Sequence, residues 1–327
     1  MLRYAARMTR SAITAALLLT ACGSTNPASG DAGATADEGL ALDAGVVVVD
    51  AGTPDAGLSV RGPLVTARPF AEVVPLSYTP GAPTPLVVLL HGYTATGATQ
   101  DAYFHLSELA HLKGFILALP DGTIDSAGNH FWNATDACCA FGQTVDDVAW
   151  LTAVIADLQA RYTVDPRRIF LVGHSNGAFM AHRMACDRSE LVAGIVSLAG
   201  AVWADTAKCN PGAKVNVLQV HGTLDAVIKY AGGSATAGAP PHPGAETTVA
   251  TWAAKNGCSG AALTSIGGDL DLVSDLPLAE TQRESFGGCP AGAAAELWRI
   301  RGGSHIPVFN ATWAESLYTW LMAHPKP

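Results

Sequence analysis

Short, largely apolar runs recur along the chain at residues 86–90, 115–119, 169–172, 194–198, 215–220 and 297–300. None alternates with polar residues, which is the pattern of strands buried on both faces of a parallel sheet. Stretches with helical period separate them. Residues 100–113 place Tyr103, Leu106, Leu109 and Ala110 on one face, and residues 147–162 do the same with Val148, Leu151, Val154, Ile155 and Leu158. Residues 176–187 are rich in small side chains, with Gly177, Ala178 and Ala181 early, and a last helix is expected through Trp313, Leu317 and Trp320. Residues 70–78 read as extended, followed by a turn-prone Pro/Gly segment at 80–85. Strands alternating with helices predict one α/β domain over residues 64–327, a mainly parallel sheet with helices on both faces. Residues 226–296 have weak periodicity and many Gly, Ala and Pro, and read as an elaboration at the rim.

The first 63 residues have another character. Arg3, Arg7 and Arg10 precede an apolar run at 12–19 that is too short to span a bilayer. The run ends in Leu19-Thr20-Ala21-Cys22, which resembles a bacterial lipobox whose cysteine is lipidated and becomes the first mature residue. Residues 1–22 are therefore expected to be an export signal, with the product lipid-anchored to the cell envelope through Cys22 or secreted. Residues 23–63 read as a disordered tether in which Asp-Ala-Gly occurs four times, at Asp31, Asp43, Asp50 and Asp55. No other segment is long and apolar enough to be transmembrane, so contact with a membrane is expected only through that anchor.

The net charge of the whole chain is −9. The remainder after residue 60 is mildly acidic without a basic run, which argues against nucleic acid as a partner. A monomer acting on a small or polymeric substrate is the expectation. Besides Cys22 there are six cysteines, Cys138, Cys139, Cys186, Cys209, Cys258 and Cys289, an even number that suits disulfides in an exported chain. Six cysteines allow about 15 pairings and the sequence does not choose among them. The working expectation is Cys186–Cys209, Cys258–Cys289 and, by elimination, the adjacent pair Cys138–Cys139.

The chemistry centres on Gly173-His174-Ser175-Asn176-Gly177, a Gly-x-Ser-x-Gly pattern between an apolar run and a helix. A strand that turns at once into a helix leaves no room for side chains beside the turn, and it exposes the serine hydroxyl at the positive end of the helix. Serine needs a neutral imidazole as base and a carboxylate behind that imidazole. His305, in the Gly-rich segment after the last strand, is the candidate base, and Asp225, just beyond the 215–220 strand, the candidate acid. Asp269, Asp271 and Asp275 compete weakly, because no convincing strand precedes them. The order Ser175, Asp225, His305 is that of α/β-hydrolases. His91 and His221 each precede a glycine at a strand end and read as structural, bonding the loop backbone. His174 is expected to point away from the site, and His182, His242 and His324 to be solvated. The backbone N–H groups of Asn176 and Tyr93 are the candidate oxyanion donors.

Leu89-Leu90-His91-Gly92, Leu119-Pro120-Asp121-Gly122, Trp132-Asn133 with Cys138-Cys139, Val145-Asp146-Asp147-Val148, the Ser175 pentapeptide, His221-Gly222-Thr223-Leu224-Asp225 and Gly302-Gly303-Ser304-His305 occur in that order. From residue 86 onward the chain resembles the secreted polyhydroxybutyrate depolymerase and feruloyl esterase group of α/β-hydrolases. The resemblance implies an ester hydrolase with Ser175 as nucleophile, Asp225 as acid and His305 as base, and it suggests that Trp132 lies near the acyl pocket. Two departures stand out. Ile306-Pro307 follows the histidine where the group has an aromatic residue before proline, and Gly177-Ala178 stands where Gly-Gly is common. The competing readings are a polymer-binding module on a hydrolase fold and a peptidase with the same three residues. A thiol enzyme using Cys138 or Cys139 is disfavoured because adjacent exported cysteines oxidise. No residues have metal-ligand spacing and no phosphate or dinucleotide loop occurs, so neither metal nor cofactor is expected.

Overall fold

The computed structural model describes residues 61–139, 143–235 and 238–327. The lipobox cysteine Cys22 and nearly all of the expected tether lie outside the described residues. In chain order the strands are β1 (Ala71–Val73), β2 (Thr84–Leu90), β3 (Ile116–Leu119), β4 (Thr123–Ile124), β5 (His130–Phe131), β6 (Val164–His174) and β7 (Gly194–Leu198). They continue with β8 (Asn216–Gly222), β9 (Gly232–Gly233), β10 (His242–Pro243), β11 (Leu263–Ser265), β12 (Thr281–Phe286) and β13 (Ala294–Ile300). Nine of them form one sheet in the order β1-β3-β2-β6-β7-β8-β13-β12-β11. The strands from β3 to β13 run parallel, with β1 antiparallel at one edge and β12 and β11 antiparallel at the other. The pairs β4–β5 and β9–β10 are separate hairpins.

The continuous apolar runs divide between two cores because successive strand side chains point to opposite faces. Leu86, Val88 and Leu90 of β2 and Ile169 and Leu171 of β6 join one buried cluster. It also takes in apolar residues of the helices α4 (Asp147–Arg161) and α5 (Asn176–Asp187). Val87, Leu89, Phe170 and Val172 join the other, with the helices α3 (Leu106–Lys113) and α7 (Thr312–Ala323). The α/β sheet covered on both faces is thus the observed architecture.

Two elements differ from the sequence expectation. The helix expected over 100–113 is two, α2 (Gly97–Phe104) and α3, broken at His105, which has φ 57°. Asp101 Oδ1 accepts from the amides of Leu106 at 3.0 Å and Ser107 at 2.9 Å, capping α3 and ending α2. The rim elaboration is instead part of the main layer. It supplies helix α6 (Ala245–Asn256) and the strands β11 and β12 that extend the sheet. The disulfides are Cys138–Cys139, Cys186–Cys209 and Cys258–Cys289. The last ties the segment after α6 to the segment after β12.

The histidines expected in solvent are not there. His182 is buried between Gln219 and Trp252, His242 is buried with its Nδ1 toward the Pro243 carbonyl, and His324 is half-buried against Trp320 and Glu296. Burial pushes His91 and His182 down to about 4 and His174, with a further contribution from His305, down to about 3. In an unfolded chain these imidazoles protonate near pH 6.5. Between that pH and the folded values the unfolded state binds more protons, so stability is lost as pH falls. His324 opposes this: burial lowers its pKa, but the bond to Glu296 outweighs burial and raises it. We expect the thermal midpoint to drop steeply between pH 6.5 and pH 4. Calorimetry at half-unit pH steps checks this, and a flat profile across that window contradicts it.

Candidate active site

Strand β6 ends at His174 and helix α5 begins at Asn176, so Ser175 alone makes the turn. It does so at φ 53° and ψ −121°, a positive-φ conformation costly for any residue with a Cβ. The flanking glycines permit it. A Cβ on Gly173 would lie 2.3 Å from the Gly177 carbonyl oxygen, and one on Gly177 2.2 Å from that of Leu90. Ala178, where a second glycine was noted as common, is accommodated from the other side. Gly200 faces it, and a Cβ there would come within 2.5 Å of the Ala178 Cβ. The Ser175 amide is tied to the Leu198 carbonyl at 2.8 Å.

The parallel strands bring the other groups to the same edge of the sheet. Asp225 follows β8, and His305 follows β13, the strand paired beside it. His305 Nε2 lies 3.0 Å from Ser175 Oγ, and His305 Nδ1 lies 2.8 Å from Asp225 Oδ2. The other Asp225 oxygen accepts the amides of Val227 at 2.8 Å and Ile228 at 2.9 Å. Burial penalises the charge on Asp225, but hydrogen bonds from His221 and His305 outweigh it and hold the carboxyl well below its usual range. Asp269 is paired with Arg301 and Asp271 with Asn310 and Thr312, so neither is engaged with His305.

The loop carrying His305 is held from three sides. Leu224 N–H donates to the Gly303 carbonyl at 2.9 Å and Gly302 N–H to Thr223 Oγ1 at 2.9 Å. Tyr103 donates its hydroxyl to the Pro307 carbonyl at 2.7 Å. His174 does not diverge from the site as expected. Its Nε2 faces the His305 carbonyl at 3.1 Å and its ring lies 5.1 Å from that of His305, because β6 ends beneath the histidine loop. Tyr103 and His174 were missed as supports because Tyr103 belongs to no motif and His174 is an unspecified position of one, so only the fold shows what they touch.

Ser175 and His305 open on a cleft of about 310 Å³ whose walls include Gly92, Tyr93, Thr94, Gln100, Tyr103 and Ile306. Gly92 N–H is held by Gln100 Oε1 at 3.2 Å, and a Cβ on Gly92 would meet the Ser175 Cβ at 3.5 Å. Tyr93 stands in the cleft wall with its hydroxyl donating to Asp125 at 2.7 Å. Asn176 is the first residue of α5, where a helix has no intrahelical acceptor for its N–H. Trp132, expected near the acyl pocket, is not in the cleft wall. It is fully buried, its indole N–H on the His91 carbonyl at 3.0 Å and its backbone clamped in both directions by the Asn176 amide. A buried indole gains by placing its N–H on an acceptor, and here that acceptor is the loop behind the cleft. His91 bonds loop backbone through both nitrogens, to the Gly92 carbonyl and from Gly122 N–H. A larger hollow of about 490 Å³, between α2–α3 and α7, contains none of Ser175, Asp225 or His305. Among the described residues no group of three or more His, Cys, Asp or Glu is placed to hold a metal ion, and no helix is long and apolar enough to cross a membrane.

A mainly parallel sheet with a serine at the strand–helix elbow, an acid after a later strand and a histidine after the last parallel one is the α/β-hydrolase fold. Residues 142–240 match the phospholipase/carboxylesterase family. The chain is 27% identical over 237 residues to feruloyl esterase B of Piromyces equi, covering 71% of this chain and 41% of that protein. It is 30% identical over 122 residues to poly(3-hydroxyalkanoate) depolymerase C of Paucimonas lemoignei, covering 36% of this chain and 28% of that one. The chain therefore spans less than half the length of either of these relatives. An acetyl xylan esterase from Aspergillus awamori shares the fold, with a TM-score of 0.55 at 16% identity over 77% of this chain and 93% of that one.

The elbow gives a direct test. Gly177→Ala forces a methyl onto the carbonyl oxygens of Leu90 and His91, both backbone atoms that cannot swing aside. We expect a loss of about 3 kcal/mol in urea unfolding. Gly268→Ala, at a position with nothing within 4 Å, should change stability by less than about 0.5 kcal/mol.

Proposed function

We propose that this chain is a serine carboxylic-ester hydrolase acting through an acyl-enzyme. The observation that carries the reading is the unbroken hydrogen-bonded line from Ser175 Oγ through His305 to Asp225, opening on a cleft. In the first half-reaction His305 Nε2 takes the Ser175 proton while Oγ attacks the ester carbonyl carbon. The resulting oxyanion is met by the backbone N–H groups of Asn176 and Tyr93. As the intermediate collapses, the bond to the alcohol oxygen breaks and His305 returns its proton to that oxygen. Water then enters, His305 removes its proton, and the acid leaves with Ser175 restored. Asp225, ionised throughout, keeps the His305 Nδ1 proton in place and supports the imidazolium that forms twice per turnover.

The names of the relatives favour acyl groups carried on larger molecules: feruloyl or acetyl esters of plant polysaccharide, or polyhydroxybutyrate-like polyesters. The three disulfides favour an oxidising compartment, in keeping with export and a lipid anchor at Cys22. Ser175→Ala should lower turnover of p-nitrophenyl esters by about 10⁴-fold or more with unfolding unchanged, and a serine-directed phosphonate should label the unaltered protein at Ser175 only. Retained turnover in the variant, or labelling elsewhere, defeats the reading. Methyl ferulate, acetylated xylan and polyhydroxybutyrate film assayed side by side decide among the acyl groups.

A further inference from the structure

Behind Asp225 a second line of hydrogen bonds runs away from the cleft, through residues that the proposed chemistry does not use. Trp252 of α6 points its indole N–H at His182 Nδ1, 3.0 Å away. His182 of α5 faces Gln219 Oε1 with its Nε2 at 3.1 Å. Gln219 of β8 turns its amide nitrogen to the Gly200 carbonyl at 2.9 Å and to His221 Nδ1 at 3.1 Å. His221 Nε2 lies 2.7 Å from the Ile228 carbonyl and 3.4 Å from Asp225 Oδ2. Trp252, His182 and Gln219 are 0% exposed, His221 1% and Asp225 5%, so no bulk water can substitute for any of these partners.

The direction of this line follows from its far end. An indole N–H can only donate. His182 Nδ1 must therefore accept, and the neutral ring carries its proton on Nε2. That proton requires an acceptor, which fixes the Gln219 oxygen toward His182 and the amide hydrogens toward Gly200 and His221. His221 Nδ1 then accepts in turn, and its own proton sits on Nε2, facing the Ile228 carbonyl and Asp225. Turning the Gln219 amide over would oppose donor to donor at His182 and deprive the Gly200 carbonyl of its hydrogen bond.

We infer that His221 is a positioning residue for the reaction: the buried line from Trp252 locks it as the Nε2–H tautomer, and that N–H, shared between the Ile228 carbonyl and Asp225 Oδ2, fixes the loop and the carboxylate that orient His305. The inference rests on the esterase reading for its catalytic meaning, not for the line itself. Asp225 Oδ2 receives the His305 N–H at 2.8 Å and lies 3.4 Å from His221 Nε2, whose N–H is nearer the Ile228 carbonyl, while Oδ1 is filled by two backbone amides. The carboxylate is thus fixed on both oxygens. Donation from His221 also disperses charge that would otherwise bear on His305, so its loss favours the imidazolium. The titratable groups around His221 are Asp225, Tyr230, whose ring is 5.6 Å away, and His242, which Lys229 faces in turn.

The test pairs two amide substitutions that differ in reach. Gln at 221 can return an N–H where Nε2 stood, whereas Asn reaches only the Nδ1 position. The rate of phosphonate labelling at Ser175 is measured against pH in the full chain. His221→Gln should stay near the unaltered rate and midpoint. His221→Asn should label about tenfold more slowly, with the midpoint of its pH profile displaced upward. Equal rates and midpoints for the two variants overturn the proposal. Long-range ¹H–¹⁵N spectra of the unaltered protein give a second reading that needs no variant to fold. They should show the proton on Nε2, not Nδ1, of both His182 and His221, and a proton on Nδ1 of His221 overturns the proposal. If the unaltered protein is not labelled at Ser175, the esterase reading fails, while the spectra still decide whether the line exists.

Discussion

The molecule depends on one backbone turn made without spare residues. A buried parallel strand must hand over to a helix at a single residue, and that residue must accept a positive φ while bearing a side chain. The turn is sterically possible only because Gly173 and Gly177 let the helix start sit against the ends of β2 and β6. Its conformational strain is offset by the packing of α5 on the sheet, where almost the whole helix is buried. With that contact in place, the hydroxyl is held at the carboxyl edge of the sheet, where the loops after β2, β8 and β13 also emerge.

Around that fixed point the loops are secured chiefly by hydrogen bonds to backbone atoms. Gln100 holds Gly92, Trp132 holds His91, His174 and Tyr103 hold the loop of His305, and two amides hold Asp225. Most of these side chains are buried, where an unsatisfied polar group is costly and a satisfied one is correspondingly rigid. The neutral histidines belong to the same scheme: an uncharged ring can accept on one nitrogen and donate on the other, which a lysine or arginine cannot do.

Much of this was legible in the chain. The six apolar runs became the parallel strands, since strands buried on two faces carry no polar alternation to obscure them. The elbow was legible because a close backbone approach demands glycine at fixed spacing. Helix α6 was not, for its apolar positions Val249, Trp252 and Ala253 are diluted by threonines and alanines. Strand β12, Thr-Gln-Arg-Glu-Ser-Phe, is mostly polar because it lies toward the sheet's edge. The break at His105 depends on one aspartate side chain competing for two amides, a contest that periodicity does not register. The burial of Trp132 and of His182 was not legible, for a shared reason. The partners that bury them, His91 and Asn176 for one, Gln219 and Trp252 for the other, are distant in sequence.

The place of β13 has a consequence for how the chain matures. This strand lies between β8 and β12, so it is inserted into the sheet rather than added to its edge. The imidazole that faces Ser175 arrives with it, more than a hundred residues after the elbow, whereas Asp225 is already in the chain after β8. Long-range pairings of this kind form late, because the intervening chain must first be ordered. A growing or partly assembled chain therefore displays the Ser175 hydroxyl without its imidazole partner, and the proposed line to Asp225 is complete only when the last parallel strand has closed.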